Sequence, residues 1–262
     1  MRLGFDLDGP LADMQGALAL VARDLFPGID PATLPRSTTS VEAPAPARDA
    51  GDTPQNPEAQ FSTQSLTARQ QRELWKAACG TVNFWETLDE IEPGVLARLY
   101  QMVQERRWEI IFLTSRPETD GDTAQAQSHR WLVAHGFPTP SVFVVHGSRG
   151  KIAAALALDV LVDDRPENCL DVAIDSTARA ILVWRGEEDK VPGSARQLGI
   201  GAVGSIHQCL DILAEVDGAA ANDVGVVERF KRLLGLKPRV AKRREPGRPE
   251  SVAGVGLPSG TA

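Results

Sequence analysis

Short apolar segments that end in a polar residue, each followed by a stretch of helical spacing, recur along this chain and constrain its fold more than any other feature. Arg2 to Leu7, Glu109 to Thr114 (EIIFLT), Val142 to Val145, Val160 to Asp163 and Ala180 to Trp184 read as strands. Apolar residues at helical spacing fill Met14 to Phe26, Thr67 to Cys79, a stretch opened by Pro93 and running to about Arg107, Asp122 to His135, Lys151 to Leu158 and Ser205 to Val216. Gly136 closes the helix before it. Strands apolar on both faces must be buried on both, so the repetition predicts an α/β fold: a three-layer, Rossmann-like parallel sheet with helices on either side.

The length of 262 residues admits one large domain or a core with a smaller insertion. With 42% hydrophobic and 24% charged residues, such a core needs neither disulfides nor a structural metal. From about 31 to 65 the composition shifts to Pro, Ala, Thr, Ser and Gln, with prolines at 31, 35, 44, 46, 54 and 57, and reads as a loose insertion. A helix is expected from Val224 to Leu234, and the tail around it is basic: residues 231 to 250 hold eight Lys or Arg and two Glu. A solvated tail is the favoured explanation, and contact with nucleic acid, anionic lipid or an acidic partner is the rival one.

Charge and cysteine usage narrow the function classes. A net charge of −7 leaves no broad basic face for duplex nucleic acid, so a phosphate-bearing ligand has to be met by a local site. Cys79, Cys169 and Cys209 are odd in number and contain no CxxC pair, which argues against a disulfide framework and a zinc site and favours a reducing cytoplasm. Acidic residues enter by position 6, against a signal peptide, and the apolar run from Ala153 to Val162 is broken by Asp159 and too short to span a bilayer.

In open α/β sheets the active crevice lies beyond the carboxyl ends of the strands, so the polar residues closing each strand are the candidates. The first strand ends in Asp6-Leu7-Asp8-Gly9, EIIFLT ends in Thr114-Ser115-Arg116, and LV ends in Asp163-Asp164, while Lys151 opens the helix after VFVV. Asp6 and Asp8 are two apart and can share one side of an extended segment. Taken singly, each acid pair is a solvated turn or a helix cap. Several acids buried together raise one another's pKa unless a cation neutralises them, and oxygen donors suit a hard ion such as Mg²⁺. Thr114 and Lys151 supply a hydroxyl and an ammonium for a phosphoryl group, whose transfer asks mainly for positioning and charge neutralisation.

These elements, in this order from residue 6 to 164, resemble the haloacid dehalogenase superfamily of phosphohydrolases. FDLDGPLAD is similar to its first motif, FLTSRP to its second, Lys151 to its third and VDDRPEN to its fourth. The TSRP and DDRP forms are most similar to the short-cap 5'-nucleotidases, including the 5'(3')-deoxyribonucleotidases. The resemblance implies Asp6 as nucleophile forming an aspartyl-phosphate and Asp8 as the acid and base. It implies Thr114 and Lys151 as the grip on the phosphoryl group, and Ser115 and Arg116 as neighbours contacting substrate. Mg²⁺ would be held by the Asp6 carboxylate, the Asp8 main-chain carbonyl and Asp164, with Asp163 a ligand or a support beside it. It further implies a core over residues 1–17 and 88–217, a small, mostly helical cap over 18–87 and a terminal segment 218–262. The expected substrate is a small phosphorylated metabolite, foremost a nucleoside monophosphate. Pro10 departs from the Thr or Val usual in the family and removes one backbone donor beside the nucleophile loop.

Other assignments stay open from the residues alone. A phospho-accepting signalling domain uses similar groups but carries its acceptor Asp on a middle strand, and a catalytically silent binding module remains a further alternative. Trp75, Phe84 and Trp85 could stack a base, although packing within a small subdomain is the simpler explanation. Arg116 and Arg165 could meet substrate or pair with Asp163 or Glu167. The four histidines have no metal-ligand spacing, and Gly147 to Gly150 reads as a plain turn because the P-loop ending is missing.

Overall fold

A computed structural model describes residues 1–27 and 66–220. The Pro-rich stretch 31–65, the helix expected over 224–234 and the basic tail lie outside the described residues. Six strands, β1 (Arg2–Asp6), β2 (Glu109–Thr114), β3 (Ser141–Val144), β4 (Val160–Asp163), β5 (Arg179–Val183) and β6 (Gly201–Val203), form one parallel sheet in the order β3-β2-β1-β4-β5-β6. Eight α-helices accompany it: α1 (Met14–Leu25), α2 (Ala68–Cys79), α3 (Val95–Arg106), α4 (Ala124–Ala134), α5 (Arg149–Ala155), α6 (Pro166–Asp175), α7 (Gly193–Leu198) and α8 (Ile206–Ala220). The architecture is the three-layer α/β fold expected from the alternating pattern.

The period of two along each strand divides the apolar residues between two cores. In β4, Val160 and Val162 join Leu3, Phe5, Phe112 and Ile181 on one face, where α1, α2, α3, α4 and α8 pack. Leu161 instead joins Leu113 and Leu182 on the other, against Ala153 of α5, Cys169 and Val172 of α6 and Ala195 of α7. Between these cores β1, β2 and β4 are apolar through their middles and end in Asp6, Thr114 and Asp163.

Those last residues share one edge. Asp6 is paired with Leu113 one step before Thr114, and Phe5 with Val162 one step before Asp163, so the ends of β1, β2 and β4 stand abreast. From β1 the chain runs outward in both directions, to β2 and β3 on one side and β4 to β6 on the other. Strand order reverses there, the place where open α/β sheets form a crevice.

Several boundaries differ from expectation. Helix α5 begins at Arg149, two residues before Lys151, because Ser148 caps it: the Ser148 hydroxyl accepts from the Lys151 backbone N–H at 3.4 Å. Helix α3 begins at Val95, after Pro93, and its first N–H groups are met by Glu90, which accepts from Gly94 at 2.6 Å and Leu96 at 3.0 Å. α6, α7 and the three-residue β6 were not anticipated from spacing.

Candidate active site

The carboxylates of the predicted set are held by loop N–H groups and by side chains from other strands and helices. Asp6 ends β1 and is 7% exposed; its Oδ2 accepts from the Asp8 backbone N–H at 3.2 Å, which curls the chain back past the strand end. The turn continues with Leu11 and Ala12 both donating to the Leu7 carbonyl, at 3.1 and 2.8 Å. Gly9 sits at φ +101°, a conformation that L side chains rarely adopt. A Cβ there would also overlap the Asp164 carboxylate. Asp164, far along the chain, therefore lies directly against the loop that carries Asp6 and Asp8.

Asp163 is fully buried at the end of β4 and turned to its own helix: it accepts from the Arg165 backbone N–H at 2.9 Å and from Asn168 Nδ2 at 2.9 and 3.2 Å. Thr114, also fully buried, donates its hydroxyl to Asp8 Oδ2 at 2.9 Å. Ser115, next to it, is exposed.

Arg116 and Arg149 supply the positive charge. Arg116 grips Asp8, with Nη2 donating to Oδ1 at 2.7 Å and Nε lying 3.0 Å from both oxygens. Its Nη1 donates to Ser128 at 2.9 Å, and its guanidinium lies 5.0 Å from the Trp85 ring and 5.8 Å from that of Trp131. Arg116 thus supports Asp8, and its buried guanidinium is already engaged. Arg149 Nη2 donates to Asp6 Oδ1 at 2.8 Å, and its Nε lies 3.8 Å from Asp163 Oδ2.

Lys151, the cation expected here, is exposed and pairs with none of these carboxylates. The reason is helical geometry: at 100° per residue, Lys151 points 200° away from Arg149, whereas Ala153, buried at 1%, shares the Arg149 face. Gly150 lets this face approach, since a Cβ there would overlap the Asp171 carbonyl of α6. Ser148 as N-cap was the signal in the sequence that could have placed Arg149 in the first turn.

The aromatic candidates are core. Trp85 is fully buried and Phe84 and Trp75 are 3% and 4% exposed; Trp85 Nε1 donates to the Pro117 carbonyl at 2.9 Å. Among the described residues these rings offer no open face for stacking a base. The expected turn over Gly147 to Gly150 is shorter in the structure: Gly147, at φ +135°, and the N-cap Ser148 lead into α5, and Arg149 and Gly150 are already helical.

Acids outnumber the buried cations at this edge, and Arg165 adds a third, partly exposed positive charge acting on Asp163. Four buried carboxylates, Asp6, Asp8, Asp163 and Asp164, face two buried guanidiniums. Burial first, then the Asp163 charge, push Asp6 up to about 8 against the opposing pull of Arg149. Burial likewise raises Asp163. No group of three or more His, Cys, Asp or Glu side chains able to hold a metal ion occurs among the described residues. The ligand set implied by the resemblance is smaller, two carboxylates and one main-chain carbonyl, all hard oxygen donors. These residues fit a hard cation.

The solved structures with similar folds include a HAD family hydrolase from Deinococcus radiodurans R1 with bound phosphate and sodium. It is 13% identical, with a TM-score of 0.50 over 83% of this chain and 96% of that one. The fold is that of the HAD hydrolases. Weaker similarity is found to a haloacid dehalogenase-like family hydrolase from Xanthomonas campestris, 14% identical over 85% of this chain and 98% of that one with a TM-score of 0.43, and to a haloacid dehalogenase-like family protein from Streptococcus pneumoniae, 16% identical over 82% and 97% with a TM-score of 0.43. No family model and no curated protein matches the chain. No helix among the described residues is long and apolar enough to cross a membrane.

Proposed function

We propose that this protein is a phosphomonoester hydrolase that works through an aspartyl-phosphate on Asp6. The observation that carries this reading is the pairing of Asp6 with the buried Arg149 at 2.8 Å, beside Asp8 and against Asp164, at the sheet's switch point. Arg149 Nε is buried and lacks a hydrogen-bond partner among the described residues, which suits it to receive a phosphoryl oxygen.

In this mechanism Asp6 attacks phosphorus and the bond to the leaving oxygen breaks, while protonated Asp8 hands its proton to the departing alkoxide. Asp8 then takes a proton from water as that water attacks the aspartyl-phosphate, releasing inorganic phosphate and restoring Asp6. Arg149 and the Thr114 hydroxyl face the charge on the transferring group. Arg116 orients Asp8 throughout. Mg²⁺, held by Asp6, the Asp8 carbonyl and Asp164, would neutralise phosphoryl charge and keep Asp6 ionised. Asp163 serves as the support that shapes the start of α6.

The finer proposals are a core over 1–17 and 88–217, a cap over 18–87 that selects substrate, a nucleoside monophosphate as the first substrate to test, and a cytoplasmic setting. The nucleotide rests on the TSRP and DDRP forms alone. An acidic partner for the basic tail belongs with these proposals.

The deciding experiment is release of phosphate from an aryl phosphate and from a panel of nucleotides and sugar phosphates, with Mg²⁺ or with EDTA. Turnover should require Mg²⁺ and vanish in Asp6→Asn; full activity in that variant refutes the reading. One observation favours a silent binding module instead: both oxygens of Asp8 already accept hydrogen bonds, from Arg116 and Thr114. Phosphate or Mg²⁺ binding without turnover on any panel member would select it.

A further inference from the structure

Arg185, a residue outside every motif described above, ties the nucleophile loop to a distant helix. It follows β5 immediately beyond Trp184, so it emerges at the same sheet edge as Asp6 and Thr114. Its Nη1 donates to the Gly9 carbonyl at 2.6 Å, and its Nη2 to the Pro10 carbonyl at 2.9 Å and to Glu92 Oε1 at 2.6 Å. Glu92 is itself fixed, because its two oxygens accept from the backbone N–H groups of Ile206 at 2.8 Å and His207 at 3.0 Å, the first turn of α8. A helix start, a carboxylate and a guanidinium thus form one strut that ends on two consecutive carbonyls of the loop.

The loop needs an external hold at this point. Pro10 has no N–H to contribute, and Gly9, at φ +101°, donates its own N–H to the Ala12 carbonyl at 3.1 Å. The peptide after Asp8 also determines where the Asp8 carbonyl and side chain point. A planar fork that reaches two carbonyls at once fixes orientation in a way one ammonium does not.

We propose that Arg185, locked by Glu92, is a positioning residue that holds the Asp6–Asp8 loop in reactive geometry. The proposal rests on the phosphohydrolase reading above. Misplacing a reacting group by about 1 Å can cost on the order of a hundredfold in rate, and the loss falls on the chemical step.

The test measures kcat and KM with an aryl phosphate for the full-length wild type, Arg185→Gln, Arg185→Lys, Glu92→Gln and the double variant, at a temperature where circular dichroism shows each fully folded. Arg185→Gln should lose roughly ten- to a hundredfold in kcat with KM changed less than about threefold, and Arg185→Lys should recover part of it. The double variant should be no worse than Arg185→Gln alone, since Glu92 acts through Arg185. If Arg185→Gln does not fold, the Arg185→Lys and Glu92→Gln rates decide in its place. Folded variants with wild-type kcat, a loss confined to KM, or additive losses in the double variant would overturn the proposal while leaving the phosphatase reading intact. A wild type without turnover would overturn both.

Discussion

Arg149 and Lys151 stand two positions apart, yet only Arg149 meets the carboxylates, so the proposed mechanism takes Arg149 as its cation and leaves Lys151 to solvent. Arg149→Ala should lower kcat about 100- to 1000-fold, the scale of losing one charged contact to a transferring group, whereas Lys151→Ala should leave it nearly unchanged. Steady-state kinetics on an aryl phosphate checks both, and equal losses would return Lys151 to the site. Gly9 makes a second test, because its φ of +101° and its contact with Asp164 act together. Gly9→Ala should cost about 1–2 kcal/mol in stability from the backbone alone, with a further loss of activity as Asp164 is pushed off the loop. Urea unfolding and phosphate release measure the two parts separately.

At the scale of elements, the segment from Asp89 to Glu92 sets two helices. Glu90 caps α3 and Glu92 caps α8, while the Ile91 N–H donates to the Leu11 carbonyl at 2.9 Å and binds the segment to the nucleophile loop. Burial works to raise the Glu92 pKa, but the hydrogen bonds from Ile206, Arg185 and His207 and the Arg185 charge outweigh it and hold the carboxyl below its ordinary 4.5. The unfolded chain therefore binds more protons, so this stabilisation is complete above about 4.5 and is lost as pH falls through the lower, folded value. Glu92→Gln should cost about 1.5–3 kcal/mol at pH 7, and the gap to wild type should close on acidification below that value. Urea midpoints measured from pH 7 to 3 test it; a gap independent of pH would exclude the role. Elements themselves were unevenly legible. β1, β2 and β4 are apolar runs with abrupt acidic or hydroxyl ends, which spacing finds directly. α6 carries little periodic signal because its buried face is only Cys169 and Val172 behind Pro166, and β6 is three residues long, too short for a period to register.

Across the whole molecule, one sheet divides two cores, and β2, β4, β5 and β6 contribute to both. Leu161 belongs to the core beneath α5, α6 and α7, while its neighbours Val160 and Val162 belong to the other. A cavity on either face must then weaken the same cooperative unit. Leu161→Ala should cost about 2–5 kcal/mol, and unfolding followed by tryptophan fluorescence and by far-UV circular dichroism should stay coincident. Trp75, Trp85, Trp108 and Trp131 report on the opposite core and Trp184 on this one, so a fluorescence transition in two steps would show that the faces unfold independently.

The chain's own pattern determined the α/β class, the parallel sheet and the candidacy of Asp6, Asp8, Thr114, Asp163 and Asp164, because strand ends follow from local periodicity and the ends of parallel strands share an edge. Tertiary structure alone decided which cation joins them. That choice depends on where α5 starts and how closely Gly150 lets it approach α6, and both are properties of packing between segments. The Arg185 strut was hidden for the same reason: its bonds run to main-chain carbonyls and through Glu92 to backbone N–H groups, and contacts with the backbone leave no mark on the identity of the residues they join.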